Sequence, residues 1–384
     1  MTLDLLDLRT ERDAALAIWR ELAAAEQPRS YFLSPGFVET WLDHLPPESG
    51  VRLAVVGGRT EPLAAALIGR ARMVRQHVFR SDAWLLNQTG KWGFDQVYIE
   101  DNDFLCRPGA AFPLGDFLAQ LPGNWEEIYF SGVDPQSCAG RMLERAGKPY
   151  DVYVPNRIPA PYVDLAALAS SRKDYLAALG SNTRSQIRRC YKLYGNLETE
   201  IAATVEQAVD IYDELVRLHQ HWWGLRGEKG AFANSWFSAF HRALVERRFD
   251  AGEIQLVRVR AGGATIGCLY NFVWNGTVFF YQSGFRPEQD NRLKPGYVCH
   301  TEAIRHSLAA GLSTYDFMAS FDEYKVRMST HQRELIWARV QKPRLKFTVE
   351  RIARAGALKA LAHYRARMAA SRAATVKERL SPSC

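Results

Sequence analysis

The sequence predicts an α/β chain of two similar domains in tandem, each a mostly antiparallel mixed sheet flanked by helices, with a basic helical tail. Three observations carry that prediction. At roughly 100–200 residues per domain, a chain of 384 residues has room for two or three. Both halves run through one element order: helix, helix, antiparallel strands, helix, strand. Between them, Pro155, Pro159 and Pro161 read as a linker. The expected division is 1–155 for the first domain, 156–195 for the linker and connecting helices, 196–340 for the second domain and 341–384 for the tail.

Taken in order, Leu3–Leu8 reads as a short strand, and Thr10 with Asp13 makes a capping-box pattern for a helix to Ala25. Ser34-Pro35 opens a second helix, with Ser as N-cap and Pro in the first turn, where no N–H is needed. Val51–Val56 and Pro62–Ala71 are strands joined at Gly57-Gly58, and Ala83–Leu86, Gln96–Glu100 and Glu127–Ser131 are further strands. Gly115–Leu121 and Gln136–Ala146 are helices, and Ser171–Tyr194 is helical. In the second half, Thr204–His219 and Trp236–Arg247 are helices. Ile254–Arg260, Ala264–Trp274 and Thr277–Ser283 form a meander turned at Gly262-Gly263 and Asn275-Gly276. Asn-Gly suits a tight hairpin because both residues accept positive φ. A helix follows from Pro295 to Gly311, then strands at Ser313–Ala319 and Glu334–Val340.

The formal charge of +7 is unevenly placed. Residues 339–384 hold twelve Lys and Arg against two Glu, which leaves 37 basic and 40 acidic residues elsewhere. A mildly acidic body with a strongly basic tail is a statement about partners. No apolar run reaches the roughly 18 residues that a membrane span needs. Met1–Arg12 lacks the basic-then-apolar pattern of a signal peptide. The six cysteines form no CxxC pair and no zinc spacing, so a reduced cytoplasmic protein without metal is expected. GxSxG, HExxH, Walker and helix-turn-helix patterns are absent, which leaves no reason to expect DNA as a partner.

From Ile254 to Arg327 the chain reads IQLVRVRAGGATIGCLYNFVWNGTVFFYQSGFRPE, continues through KPGYVCHTEAIRHSLAAGLSTYDFM and closes on DEYKVR. This stretch resembles the CelD/BcsL-type acetyltransferases, a branch of the GNAT superfamily related to the Fem-type transferases. FLSPGFVETWLDHL (Phe32–Leu45), SNTRSQIRR (Ser181–Arg189) and GEKGAF (Gly227–Phe232) are similar to other segments of that family, so the resemblance covers most of residues 30–340. It implies two tandem GNAT-like domains. It also implies acyl transfer from acetyl-CoA or another acyl-CoA, serving extracellular polysaccharide synthesis. The implied acceptor is an amino sugar, a polysaccharide or a lipid-linked glycan precursor. One departure stands out: the family usually carries Gly-Asp/Glu shortly before its Tyr-Lys pair, and here Ser320-Phe321 occupy that place, with Asp322-Glu323 just after.

Residue chemistry fits this expectation. Arg292, Lys294, Gly296 and Tyr297 surround a helix start, where unpaired N–H groups and the helix dipole suit the CoA pyrophosphate. Tyr281, Gln282 and Ser283 end the preceding strand, where backbone groups can stabilise an acyl oxyanion. Amine acylation needs a base and often an acid for the leaving thiolate. Asp316, Asp322, Tyr324 and Lys325 cluster for that purpose, with Tyr324-Lys325 matching the family pair. His219, beside Trp222, is the other candidate base, in an aromatic wall that could hold a sugar. Arg184 and Arg188, one helical turn apart, could grip a phosphate of the acceptor.

The tail reads as a helix over Arg344–Arg379, with Leu358, Leu361, Tyr364 and Met368 as an apolar stripe and Arg351 and Arg354 among its basic residues. Its expected partners are acidic lipids at the inner face of the inner membrane, the anionic glycan precursor, or cyclic di-GMP. Two other functions stay open: a Fem-like transferase using aminoacyl-tRNA, and a binding or regulatory protein, such as a cyclic di-GMP effector, whose transferase site has decayed.

Overall fold

A computed structural model describes residues 2–356. In the first half, β1 (Leu3–Asp7) is followed by α1 (Arg12–Ala25) and α2 (Pro35–His44), then by the meander β2 (Arg52–Val56), β3 (Ala64–Arg75) and β4 (Phe79–Leu86). A long connection carries the short β5 (Leu105–Cys106), which pairs with β3. Next come α3 (Leu114–Gln120), β6 (Glu127–Val133), parallel to β4, and α4 (Cys138–Glu144). Then β7 (Asp151–Asp164) leads through α5 (Leu165–Ser171), α6 (Tyr175–Ala178) and α7 (Ser181–Tyr194) into the second half. There β8 (Leu197–Ile201), α8 (Val205–Gly224) and α9 (Ser235–Arg248) precede the meander β9 (Ile254–Ala261), β10 (Ala264–Trp274) and β11 (Thr277–Phe285). The order ends with α10 (Pro295–Ala309), β12 (Thr314–Asp316), parallel to β11, α11 (Glu323–Met328) and β13 (His331–Gln341).

The strands make one 13-stranded sheet, and its order is a duplication. Outward from the centre it reads β13-β6-β4-β3-β2-β1 on one side and β7-β12-β11-β10-β9-β8 on the other. The halves exchange their last strands. β7 follows the first half in sequence but pairs with β12, while β13 ends the second half but pairs with β6. The two exchanged strands then pair with each other, from His331↔Tyr162 to Gln341↔Asp151.

This corrects the linker reading of Pro155–Pro161, because all three prolines lie inside β7. Proline lacks the N–H a two-sided ladder needs. Over residues 151–161, however, β7 has a ladder partner only in β13, since β12 joins it only at Tyr162–Asp164. On that open side the prolines offer carbonyls: Pro161 O accepts from Phe317 N at 3.0 Å and Pro159 O from Ser320 N at 2.9 Å.

Other differences have local causes. Gln96–Glu100 is a loop, because Tyr98 and Asp101 take positive φ (49° and 50°) that no strand allows. Thr10 does not cap α1; Glu11 holds that position. The Ser171–Tyr194 helix is broken where Arg172 turns left-handed at the end of α5. Strand β8 was not foreseen. The Ser34 cap holds, its hydroxyl accepting from Phe37 N at 3.2 Å, and Asn234 does the same for α9.

Helices α1, α2, α8 and α9 share one core between the halves, where Phe37 meets Phe240 edge-on at 5.4 Å. Separate cores lie under α3 and α4 in the first half and under α5, α6, α7 and α10 in the second. Residues 345–356 are helical and dock through Glu350, which is buried between Arg75 (2.6 and 2.8 Å) and Arg339 (3.1 Å). Among the described residues no helix is long and apolar enough to cross a membrane.

Candidate functional site

The first component is the start of α10. Pro295 and Gly296 form its first turn, directly beyond β11. A Cβ on Gly296 would meet the Phe285 ring at 3.4 Å, an ordinary van der Waals contact, and glycine leaves the backbone N–H groups of this turn unscreened by a side chain. Lys294 is exposed at the N-cap position, whereas Tyr297 is buried in the second-half core. Arg292 is engaged elsewhere, its guanidinium bound to Asp290 at 2.7 Å. Helix α7 lies alongside, with Cys190 Sγ 3.3 Å from Arg292 O. Arg184, Arg188 and Arg189 on that helix have no acidic partner within salt-bridge distance among the described residues. An exposed lysine at a helix N-terminus, with a basic helix packed nearby, is the chemistry an anion needs. The residues therefore fit a pyrophosphate, with Lys294 and α7 in the charged role expected of Arg292.

The second component is the gap between β11 and β12. These strands pair from Thr277↔Thr314 to Phe279↔Asp316 and then part. A bulge at Tyr281, between the Gln282↔Tyr270 and Phe280↔Asn271 pairs, turns β11 away. Lys325 fills the start of the gap, its Nζ donating to Phe317 O at 2.9 Å and lying 5.2 Å from the Phe280 ring centre. Burial depresses the Lys325 ammonium. Tyr324 stands one residue away with its ring 6.0 Å from that of His300, and burial pushes its hydroxyl up. His300 is fully buried, held by Tyr315 Oη at 3.0 Å, and its Nε2 has no partner. Asp322 is exposed before α11, accepting from Ser320 Oγ at 2.8 Å.

Two predicted residues have their polar atoms engaged by the surrounding protein. Tyr281 Oη donates to Val97 O (3.2 Å) and meets His241 Nε2 at 3.0 Å, so it ties β11 to the first half. His219 Nδ1 donates to Ser283 O at 3.0 Å while its Nε2 accepts from Ala231 N at 3.3 Å. Both ring nitrogens are thus occupied in the neutral form, which burial also favours. Ser283 and Gln282 continue β11 beside the gap. Gly284 lets α8 approach, since a Cβ there would lie 2.3 Å from Leu215 O.

The third component was missed by sequence reasoning and comes from the first half. Glu100 is buried at the seam, and its Oε2 accepts from Ala319 N at 2.8 Å. Burial pushes its carboxyl up to about 8, with Asp316 and Asp101 adding to the rise and Lys325 opposing it. Asp101 is bound by Arg333 at 2.6 and 2.7 Å, and Arg333 also holds Asp316 at 2.9 Å. Tyr98, Asp101 and Met318 all adopt positive φ around this point. Such uncommon backbone clusters at functional sites. Glu100 thus bonds the residue next to Ser320, close to where the resemblance expects a carboxylate. The available signal was the acidic run Glu100-Asp101-Asn102-Asp103.

The remaining candidates lie elsewhere. Trp222 is at the end of α8, stacked under Arg226 at 4.4 Å. Arg351 binds Gln341 Oε1 at 2.9 Å and Arg354 reaches Pro155 O at 3.5 Å, so both turn onto the body. The apolar stripe from Leu358 to Met368 lies outside the described residues. No group of metal-binding side chains occurs among the described residues.

Residues 181–326 match the profile of the acetyltransferase (GNAT) domain family. That segment runs from the start of α7 into α11 and contains the helix start and the strand gap. The match supports a transferase that moves acyl groups. No curated protein matches the chain. In structure the chain is similar to a lysylphosphatidylglycerol synthetase C-terminal domain from Agrobacterium fabrum, with TM-score 0.52 and 13% identity over 86% of this chain and 92% of that one. It is similar to FemX, with TM-score 0.52 and 10% identity over 84% and 95% of the chains. A conserved protein of unknown function from Bacteroides thetaiotaomicron gives TM-score 0.50 and 12% identity over 89% and 100%. At these identities the likeness concerns the fold: a large, mostly antiparallel sheet flanked by helices, of GNAT type.

Proposed function

We propose that the protein is an acyl-CoA-dependent N- or O-acyltransferase acting on an amino sugar or polysaccharide precursor, as the CelD/BcsL-type resemblance implies. The observation that carries the reading is that Lys325 and a buried carboxyl pushed up to about 8 lie at one strand gap, beside a strand whose far end packs against the α10 start. Bound acyl-CoA supplies an activated thioester. Lys294 and the N–H groups opening α10 hold its pyrophosphate, with α7 adding positive charge. Glu100 takes the proton from the acceptor's amine or hydroxyl on Oε1, while Oε2 stays fixed by Ala319 N–H. A base is most effective when its pKa lies near the working pH. Lys325 fixes the Phe317 carbonyl and so the width of the gap, and Tyr324 is placed to return a proton to the leaving thiol.

The test is transfer of labelled acetyl from acetyl-CoA to pooled amino sugars and glycans. A second donor, aminoacyl-tRNA, is favoured by one feature, the row Arg184, Arg188 and Arg189, which could also follow a nucleic-acid backbone. Acetyl-CoA binding with micromolar affinity decides for the first donor; binding of charged tRNA alone decides for the second. The basic tail belongs to the proposal as a contact to acidic lipid or cyclic di-GMP, tested by vesicle and nucleotide binding of chains with and without residues 357–384.

A further inference from the structure

The sequence scatters six cysteines without a pattern, yet folding brings two of them together. Cys106 ends β5 and Cys138 begins α4, thirty-two positions apart, and their Sγ atoms lie 3.2 Å from each other. A disulfide needs about 2.05 Å, so closure asks for a shift of roughly one ångström between two partly exposed side chains. Met142 Sδ sits 3.8 Å from Cys138 Sγ on the next turn of α4. By contrast, Cys190, Cys268 and Cys299 are buried, with no sulfur partner among the described residues.

The pair is also reachable. Both side chains line a cavity of the first half of about 1110 Å³, bounded by the segment after α1, the start of α3, α4 and the connection before α3. Small polar oxidants can enter a space of that size. The Cys106 S–H donates to Cys138, which holds the Cys138 thiol below its ordinary range, and Arg141 adds to that effect. Cys138 is therefore the sulfur that carries thiolate character, and the thiolate is the reactive form. The same stretch of chain is tied to α4 already: Asp103 accepts from Cys138 N at 3.0 Å and Ala139 N at 2.6 Å.

We propose that Cys106 and Cys138 form a redox-active dithiol that closes to an intramolecular disulfide when a peroxide enters the first-half cavity. The Cys138 sulfur attacks one peroxide oxygen, the O–O bond breaks, and the departing hydroxide leaves as water with the proton that Cys138 gave up. Cys138 then carries a sulfenic acid, S–OH. The Cys106 sulfur attacks that sulfur, the S–S bond forms, and the hydroxyl leaves as a second water with the Cys106 proton. Two thiols and one hydrogen peroxide become one disulfide and two waters. The bond would clamp the connection before α3, which also carries Glu100, onto α4.

The experiment uses the full chain, reduced, freed of reductant and exposed to hydrogen peroxide before alkylation of remaining thiols and peptide mapping. The expected result is a Cys106–Cys138 linked peptide pair lighter by two hydrogens, reversed by dithiothreitol, with the other cysteines alkylated after denaturation. The oxidised chain should also melt higher, by roughly 5 °C, because the link restricts the unfolded chain. Cys106→Ser should abolish both the linked pair and the melting shift, leaving Cys138 to oxidise further to sulfinic acid. Unlinked Cys106 and Cys138 in the peroxide-treated wild type, or a linked pair joining other cysteines, would overturn the proposal. This outcome is independent of the acyl-transfer reading, since no donor or acceptor enters the measurement.

Discussion

The two halves share a strand order and differ most where their parallel strands separate. In the second half the gap past Phe279 and Asp316 receives Lys325, and the far end of β11, at Phe285, packs against the α10 start. In the first half the matching place is plugged by asparagines. Asn87 Oδ1 accepts from Leu67 N at 2.9 Å, and its Nδ2 donates to Asn102 Oδ1 (2.7 Å) and Asp103 O (2.8 Å), while Asn102 Nδ2 reaches Leu86 O at 3.1 Å. The connection before the next helix is residues 87–113 in the first half and only 286–294 in the second. The longer loop seals its own gap and delivers Glu100 to the other one. On the proposed reading, a duplicated frame keeps its sheet in both copies and its chemistry in one, with the other copy lending a side chain.

The largest expected effect tests that loan. Glu100→Gln should lower kcat by roughly 10²–10⁴-fold, the worth of a general base, while acetyl-CoA affinity stays within about twofold. Full turnover in this variant would reduce the first half to a scaffold. The pH profile of the wild type gives the sign. A base must be unprotonated, and Glu100 loses its proton near 8. The rate should climb about tenfold per pH unit below that value and level above it.

Next in size is the contact that docks residues 345–356 on the first-half side of the sheet. Ending the chain after Val340 removes Glu350 and leaves Arg75 and Arg339 without that carboxylate. Breaking a buried ion pair from one side costs about 3–5 kcal/mol. Ending it after Gly356 keeps Glu350 and should leave urea unfolding unchanged. Equal stability of the two shortened chains would show that the docked segment is ornamental. It follows that functional tests of the basic tail need the chain that ends after Gly356.

Asn87→Ala should cost less, about 1–3 kcal/mol, the penalty for buried groups left unpaired. Acetyl-CoA affinity should not change, because the plug belongs to the closed gap. A loss of affinity would mean that the first half also takes part in donor binding.

How much of this was legible in sequence follows from what is local. The second-half meander announces itself, because Asn275-Gly276 fixes its turn and both residues indeed take positive φ (48° and 73°). Ser34 and Thr204 cap the helices they precede. The strand exchange was invisible, since nothing in β7 or β13 says which half each pairs with. Prolines that signal a linker by composition are used here for their carbonyls. The site divided along the same line. Lys325 and Gly296 were named as candidates from their own stretch of sequence, whereas Glu100 and Arg333 become candidates only through contacts more than 200 residues away. His219 and Tyr281 looked reactive because a sequence cannot show that their polar atoms are already taken.

The smallest effect comes from a matched pair. Gly115 and Gly296 are each the second residue of the helix that follows the separating strand, α3 and α10 respectively. A Cβ on Gly115 meets nothing within 4 Å, whereas one on Gly296 reaches the Phe285 ring at 3.4 Å. Space alone therefore does not forbid alanine at either site. If the α10 start receives a pyrophosphate, a methyl group there stands beside the donor N–H groups. Gly296→Ala should weaken acetyl-CoA binding by a modest 2–5-fold, corresponding to about 0.5–1 kcal/mol. Gly115→Ala should leave binding untouched and stabilise the chain by about 0.5 kcal/mol, because alanine narrows the unfolded ensemble. Calorimetric titration and thermal melts read both quantities on the same two proteins. Identical behaviour of the pair in acetyl-CoA binding would place the donor somewhere other than the α10 start, while the split described would assign it to the second half alone.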